Sequence, residues 1–214
     1  MKVDFHILFS ITLDHREENV SVRMEDQNKQ TRMQGRDMIY LIPIQDRKTL
    51  VDPMLLKTLC EALQDVFQQE CQIQSPVKPH IYGRSSGSSQ YTGARLLESL
   101  PIQKGAVTLG VTGLDLSMIG HEYTTGLADP SNQRAIIAVS RLQSQTASET
   151  NDEKFTDRVI KRAIHEIGHT LGLQHCEADK CVMQHSETVE DMDNKTHAYC
   201  PKCVETIEAR VQVA

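Results

Sequence analysis

The chain has 214 residues, of which 39% are hydrophobic, and a formal net charge of -6. A domain of that length can bury roughly 70% of its unfolded surface. The acidic balance argues against nucleic acid as a partner, and no apolar run approaches the roughly 18 residues of a membrane span, so a monomeric domain with no membrane segment is expected.

Residues 3–13 are apolar enough for a strand, whereas residues 14–35 carry charges of both signs with little periodicity and are expected to be mobile. Residues 1–35 therefore read as a partly mobile N-terminal extension, and residues 36–214 as the folded domain. Met38 to Ile44 reads as a buried strand. Asp52-Pro53 supplies an N-cap and a first-turn proline for a helix reaching about Gln69. Leu55, Leu56, Leu59, Leu63, Val66 and Phe67 recur there at helical spacing. Cys60 falls on the same face and reads as a small buried hydrophobe, and Cys71 has no evident partner. Arg84 to Gln90 is a serine-rich loop leading into a helix near residues 91–99. Ala106–Val111 and Arg134–Val139 read as strands, and Gln143–Asn151 as a polar loop. A last helix is expected from Pro201 to about Val211, with Val204, Ile207 and Val211 inside. Strand–helix alternation over the first three-quarters of the chain points to an α/β class.

The run from His165 to His175 reads H-E-x-x-H-x-x-G-x-x-H. Histidines four apart on a helix share one face, so both imidazoles can reach one metal ion. Gly172 stops the helix, and the turn carries His175 back as a third ligand. Three protein ligands leave a zinc position open for water, and Glu166 is placed to take that water's proton. The competing reading is a core helix that happens to contain histidines. Periodicity opposes it: Phe155, Val159, Ile160, Ala163, Ile164, Ile167 and Leu171 form one apolar arc, with His165 and His169 nearly opposite. Gly168 and Gly172 flank the histidines, which suggests room for a metal and a substrate. Thr150-x-x-Glu153 is a capping box that would start this helix.

Cys176, Cys181, Cys200 and Cys203 form C-x4-C, a gap, then C-P-K-C. Two short-spaced pairs are the pattern of a closed, structural tetrahedral zinc. A disulfide scaffold or a redox pair are the alternatives. The start of the chain interrupts its apolar stretch with Asp4 and His6 and makes no convincing signal peptide. Cysteines committed to metal and no export signal point to a reducing cytoplasm.

The two motifs interlock, with Cys176 directly after His175, and Met183 follows Cys181 at C-x-M. That combination resembles the archaemetzincins, a branch of the metzincin zinc peptidases, over roughly residues 36–210. Leu41-Ile42-Pro43-Ile44, Gln90-Tyr91 with Leu96-Leu97, Gly110-Val111-Thr112 with Asp115-Leu116, and Val139 to Leu142 extend the match. The resemblance implies two zinc ions: a catalytic one on His165, His169 and His175 with Glu166 as the base, and a structural one on the four cysteines. It makes Met183 the methionine packed beneath the catalytic zinc. It implies a twisted mixed sheet with an antiparallel edge strand above a cleft, an upper subdomain over 36–172 and a lower one over 173–214. The gap from Met183 to Cys200 is one residue shorter than the family's usual spacing. We place the edge strand at Arg134–Val139.

The expected activity is zinc-dependent hydrolysis of peptide bonds, as an endopeptidase or an aminopeptidase. The rival class is a zinc-stabilised peptide-binding or regulatory protein with little turnover; the retained Glu166 weighs against it. A nucleic-acid-binding zinc module is disfavoured because Glu177, Asp179, Glu187, Glu190, Asp191 and Asp193 make the cysteine region acidic. His185, two after Met183, is either an exposed loop histidine or a group that swings onto the catalytic zinc. His121 and Glu122, just before the edge strand, read as a solvated loop rather than a subsite.

Overall fold

The structure is a computed structural model, and it describes residues 38–79, 83–84, 89–143 and 152–211. The expectations for residues 1–35, for the cap at Thr150 and for most of the loops at 84–90 and 143–151 lie outside these residues. Strand β1 (Met38–Ile44) lies between β2 (Glu70–Ile73) and β4 (Ala106–Thr112), parallel to both. Strand β8 (Arg134–Ala138) continues the sheet parallel to β4, and β7 (Gly126–Asp129) closes it antiparallel, in the order β2-β1-β4-β8-β7. Strands β3 (Tyr91–Thr92), β5 (Leu116–Met118) and β6 (His121–Thr124) form a second, small sheet. The helices are α1 (Pro53–Phe67), α2 (Gly93–Glu98), α3 (Asp152–Thr170), α4 (Val189–Asp193) and α5 (Pro201–Val211).

The inner strands alternate between two apolar clusters, as a pleated strand covered on both faces must. Ile39, Leu41, Val107, Leu109, Val111, Ala135 and Ile137 pack with α1 and α3. Ile42, Ile44, Ile136 and Ala138 pack with Leu96, Leu97, Leu100, Leu114 and Leu116 on the other side. A Cβ at Gly110 would sit 2.9 Å from a Leu100 methyl, so glycine lets that leucine lie close against the sheet.

Asp52 caps α1 as expected, accepting from the Met54 amide at 2.9 Å. The helix expected near 91–99 starts two residues late. Tyr91 and Thr92 pair with β5 first, and α2 opens at Gly93. The edge-strand placement is corrected too. β8 is bonded on both sides, by β4 and β7, so the antiparallel edge strand is Gly126–Asp129. A continuous apolar run marks an interior strand, whereas the true edge is short, half-buried and starts with glycine. His121 and Glu122 are exposed, but they lie in β6 rather than in a loop.

Cys60, expected as a small buried hydrophobe, and Cys71, with no partner evident from the sequence, form a disulfide that ties α1 to β2, with Cα atoms 5.5 Å apart. The pair is eleven residues apart in sequence, across a helix end and a turn that carry it back. Disulfides persist in oxidising surroundings, so the cysteines do not by themselves argue for a reducing compartment. Among the described residues no helix is long and apolar enough to cross a membrane.

Closing so short a loop is worth about 2–3 kcal/mol by the loop-entropy relation. Cys71→Ser should lower the melting temperature, and the denatured, unreduced parent should titrate with fewer thiols than the reduced one. Equal thiol counts before and after reduction would remove the bond.

Candidate functional site

The site is built on the last two turns of α3 and the chain that follows. Val159, Ala163, Ile164, Ile167 and Leu171 are buried against the sheet, which turns the histidine face away from it. The helix ends in a Schellman arrangement: Leu173 N donates to Gly168 O at 3.0 Å and Gly172 N to His169 O at 2.9 Å, with Gly172 at φ 88°. That conformation favours glycine. The same turn brings Leu173 O to 2.9 Å from His169 Nδ1, while His165 Nδ1 donates to Val182 O at 2.8 Å. Using Nδ1 on carbonyls fixes both rings and points each Nε2 the other way.

There the three histidines meet. One nitrogen from each of His165, His169 and His175 lies within 4.8 Å of the others, and the Nε2 atoms of His165 and His169 are 3.1 Å apart. Nitrogens bound tetrahedrally to one zinc lie about 3.3 Å apart, so this donor set fits that ion. Burial pushes the His165 pKa down to about 2 and the His175 pKa down to about 4, which keeps the rings neutral, the form that binds metal. Glu166 is buried beside His165, and burial pushes its carboxyl upward against the opposing charge of Arg162. Its Oε1 accepts from Arg162 Nη1 at 3.2 Å.

The four cysteines gather below. Cys176 and Cys200 Sγ atoms are 3.7 Å apart and those of Cys181 and Cys203 are 3.9 Å apart. All four sulfurs lie within 4.8 Å. Tetrahedral sulfurs about 2.3 Å from zinc lie roughly 3.8 Å apart; a disulfide would need about 2.05 Å. The shortened gap before Cys200 therefore leaves this donor set together. Met183 is fully buried and Tyr199 donates to Ile164 O at 2.7 Å. A Cβ on Gly168 would lie 2.5 Å from Met183 Sδ and 3.0 Å from the Tyr199 ring. Gly168 thus serves the close packing of Met183 and Tyr199 on α3, not space for a substrate as expected from the sequence.

A cleft of about 550 Å³ runs past these groups between β6–β7 above and residues 185–189 below. Its floor carries the histidines and Glu166. His185 is exposed, its ring 4.9 Å from that of His175 and its Nε2 3.9 Å from Glu187. Tyr123 reaches across the cleft, its hydroxyl 3.4 Å from Glu187 O, while Arg141 stacks 4.2 Å over its ring. Sequence reasoning missed Tyr123, Arg141, Arg162 and Gly126. Arg162 alone was discoverable, one helical turn before Glu166. Gly126 matters because a Cβ there would collide with the Glu166 carboxylate.

Residues 95–209 match the sequence profile of Peptidase family M54. The archaemetzincin of Archaeoglobus fulgidus is 33% identical over 79% of this chain and 98% of its own length. That of Methanocaldococcus jannaschii is 35% identical over 75% of this chain and 89% of its own. This chain belongs to peptidase family M54, the archaemetzincins. The solved A. fulgidus archaemetzincin, a malonate complex, superposes with a TM-score of 0.70 at 32% identity, covering 79% of this chain and 99% of that one. The Methanopyrus kandleri archaemetzincin, at 24% identity and a TM-score of 0.68, has the same fold. An M54 archaemetzincin is a zinc metallopeptidase, a hydrolase acting on peptides or proteins.

Gly126→Ala should displace the Glu166 carboxylate without touching a histidine. A misplacement of about 1 Å costs on the order of 100-fold in turnover, so peptide hydrolysis should fall by that order while metal content stays at the parental value. Parental turnover with the alanine in place would show that the carboxylate has room to spare.

Proposed function

We propose that this chain hydrolyses peptide bonds at a zinc held by His165, His169 and His175, with Glu166 as the general base. Cys176, Cys181, Cys200 and Cys203 would hold a second, structural zinc. The observation that carries the reading is the convergence of three ring nitrogens beside a buried carboxylate on the floor of a cleft bordered by a sheet edge. The division between subdomains falls at Gly172, where α3 ends.

An extended peptide lying along β7 would pair with its backbone, as strands add to an exposed edge. A zinc ion at the histidines supplies the Lewis acidity that amide hydrolysis needs. Glu166 takes the proton of the attacking water at a carboxylate oxygen and returns it to the departing amine nitrogen. Burial raises its pKa toward the range in which a carboxyl can do both. Arg162 holds that carboxylate from one side and Gly126 leaves room for it on the other. Met183 packs under the helix and touches no substrate. His185, at the cleft wall, is close enough to His175 to contact a group bound there, the second of the two readings the sequence left open for it.

Glu166→Ala should reduce hydrolysis of a broad peptide library by about 10²–10⁴-fold with zinc content unchanged. Mass spectrometry of the digest separates endopeptidase from aminopeptidase products. Undiminished cleavage would remove the mechanism, and a zinc-loaded parent that binds peptides without cutting any would favour a binding role.

Metal analysis should give two zinc ions per chain, falling to about one in His169→Ala with the fold retained. Cys200→Ser should lower thermal stability, because a closed thiolate site contributes folding energy directly. A Cys200→Ser protein that melts like the parent with its full zinc content would refute the structural site.

A further inference from the structure

Two arginines line the cleft, Arg141 and Arg162. Arg141 is committed: its Nε and Nη2 each donate to Asp115 at 2.6 Å. The buried Arg158 is likewise bound through both nitrogens to Asp193 at 2.6 Å, and Arg134 holds Asp129 and two carbonyls. Arg162 is different. Its side chain is 12% exposed, and its one side-chain hydrogen bond among the described residues runs to Glu166 at 3.2 Å, through Nη1 alone. Its Nε is buried and, like that of Arg134, has no partner among the described residues.

The charge around Arg162 is also out of balance. Lys161 and Lys195 line the small pocket that adjoins it. Lys161 is paired with Asp157 at 2.7 Å, but Lys195 is buried and its Nζ donates to a carbonyl, that of Gln184. Three cations thus share two contacting carboxylates, Asp157 and Glu166, and of the three Arg162 also lines the cleft.

We propose that Arg162 is a specificity residue that receives a substrate carboxylate beside the scissile bond. The proposal rests on the metallopeptidase reading for the nature of the substrate. A guanidinium carries five donors in one plane and takes carboxylates in a fixed geometry. Glu166 engages one of the five, so a second carboxylate can bind without displacing the base. That carboxylate belongs either to an Asp or Glu side chain or to the C-terminus of the peptide, which present the same two oxygens.

The test uses zinc-loaded protein and three fluorescent peptide series of equal length. One moves a Glu through the positions flanking the cleaved bond, with an amidated C-terminus. The second carries Gln instead, and the third carries Gln with a free C-terminus. Both kcat/KM and Kd by anisotropy are measured. One acidic series should be favoured over the amidated Gln series by about tenfold or more, the contribution of a charge-assisted hydrogen bond, and which series it is identifies the source of the carboxylate. Arg162→Gln should bring the ratio close to one, and Arg162→Lys should retain part of it. Each ratio compares peptides on the same protein, so a loss of basal turnover cancels, and Arg162→Lys carries the test if Arg162→Gln does not fold. Equal kcat/KM and Kd at every position in the parent, or a preference that survives Arg162→Gln, overturns the proposal. Selective binding of acidic peptides without cleavage of any overturns the metallopeptidase reading and leaves this one standing.

Discussion

His175 and Cys176 are bonded neighbours, yet one belongs to the histidine cluster and the other to the cysteine cluster. A single peptide bond therefore couples the two donor sets, and neither can move without the other. Around this point the chain folds back on itself: Cys176 N donates to Met183 O at 2.9 Å, and Val182 O in turn receives His165 Nδ1. The segment that gathers the sulfurs also orients the first histidine. The chain after α3 has only two short helices, α4 and α5, among its described residues, too little to build a core of its own. It is held to α3 by the packing of Met183 and Tyr199 against Gly168, and by Arg158, which clamps Asp193 of α4.

Polar groups are buried at several points of this arrangement, and most are satisfied. Arg158, Arg134 and Tyr199 each find acceptors in the interior, as buried polar groups must if they are not to cost stability. Among the exceptions, Arg162 Nε and Ser186 Oγ belong to residues that line the cleft, while others, such as Thr108 Oγ1 and Arg134 Nε, lie away from it. Arg158 and Arg134 each hold a carboxylate and at least one carbonyl, whereas Arg162 has one side-chain hydrogen bond among the described residues, at the place where a ligand would lie. Close packing and open chemistry meet at the same helix. One side of α3 is sealed against the sheet, and the other keeps a carboxylate, a guanidinium and the imidazoles of His165 and His169 within reach of a cleft.

The local parts of this protein were legible in its sequence. The spacing of His165, His169 and His175, with Gly172 between them, determined a helix, its stop and a converging nitrogen set, because helical periodicity and the left-handed glycine turn depend on neighbours in the chain. The paired cysteine spacings determined a second donor cluster for the same reason. The α1 cap at Asp52 and the inner strands β1 and β4 also follow from local pattern. What only the tertiary structure decided are contacts between residues distant in sequence. Hydrogen bonding on both sides made β8 interior and left β7 as the edge, and an apolar run cannot reveal which strands flank it. Cys60 and Cys71 became partners only when α1 and β2 were laid side by side. Gly126 and Gly168 look like any other glycines until the Glu166 carboxylate and the Met183 sulfur arrive against them, since a close approach is a property of two surfaces and is written in neither one alone.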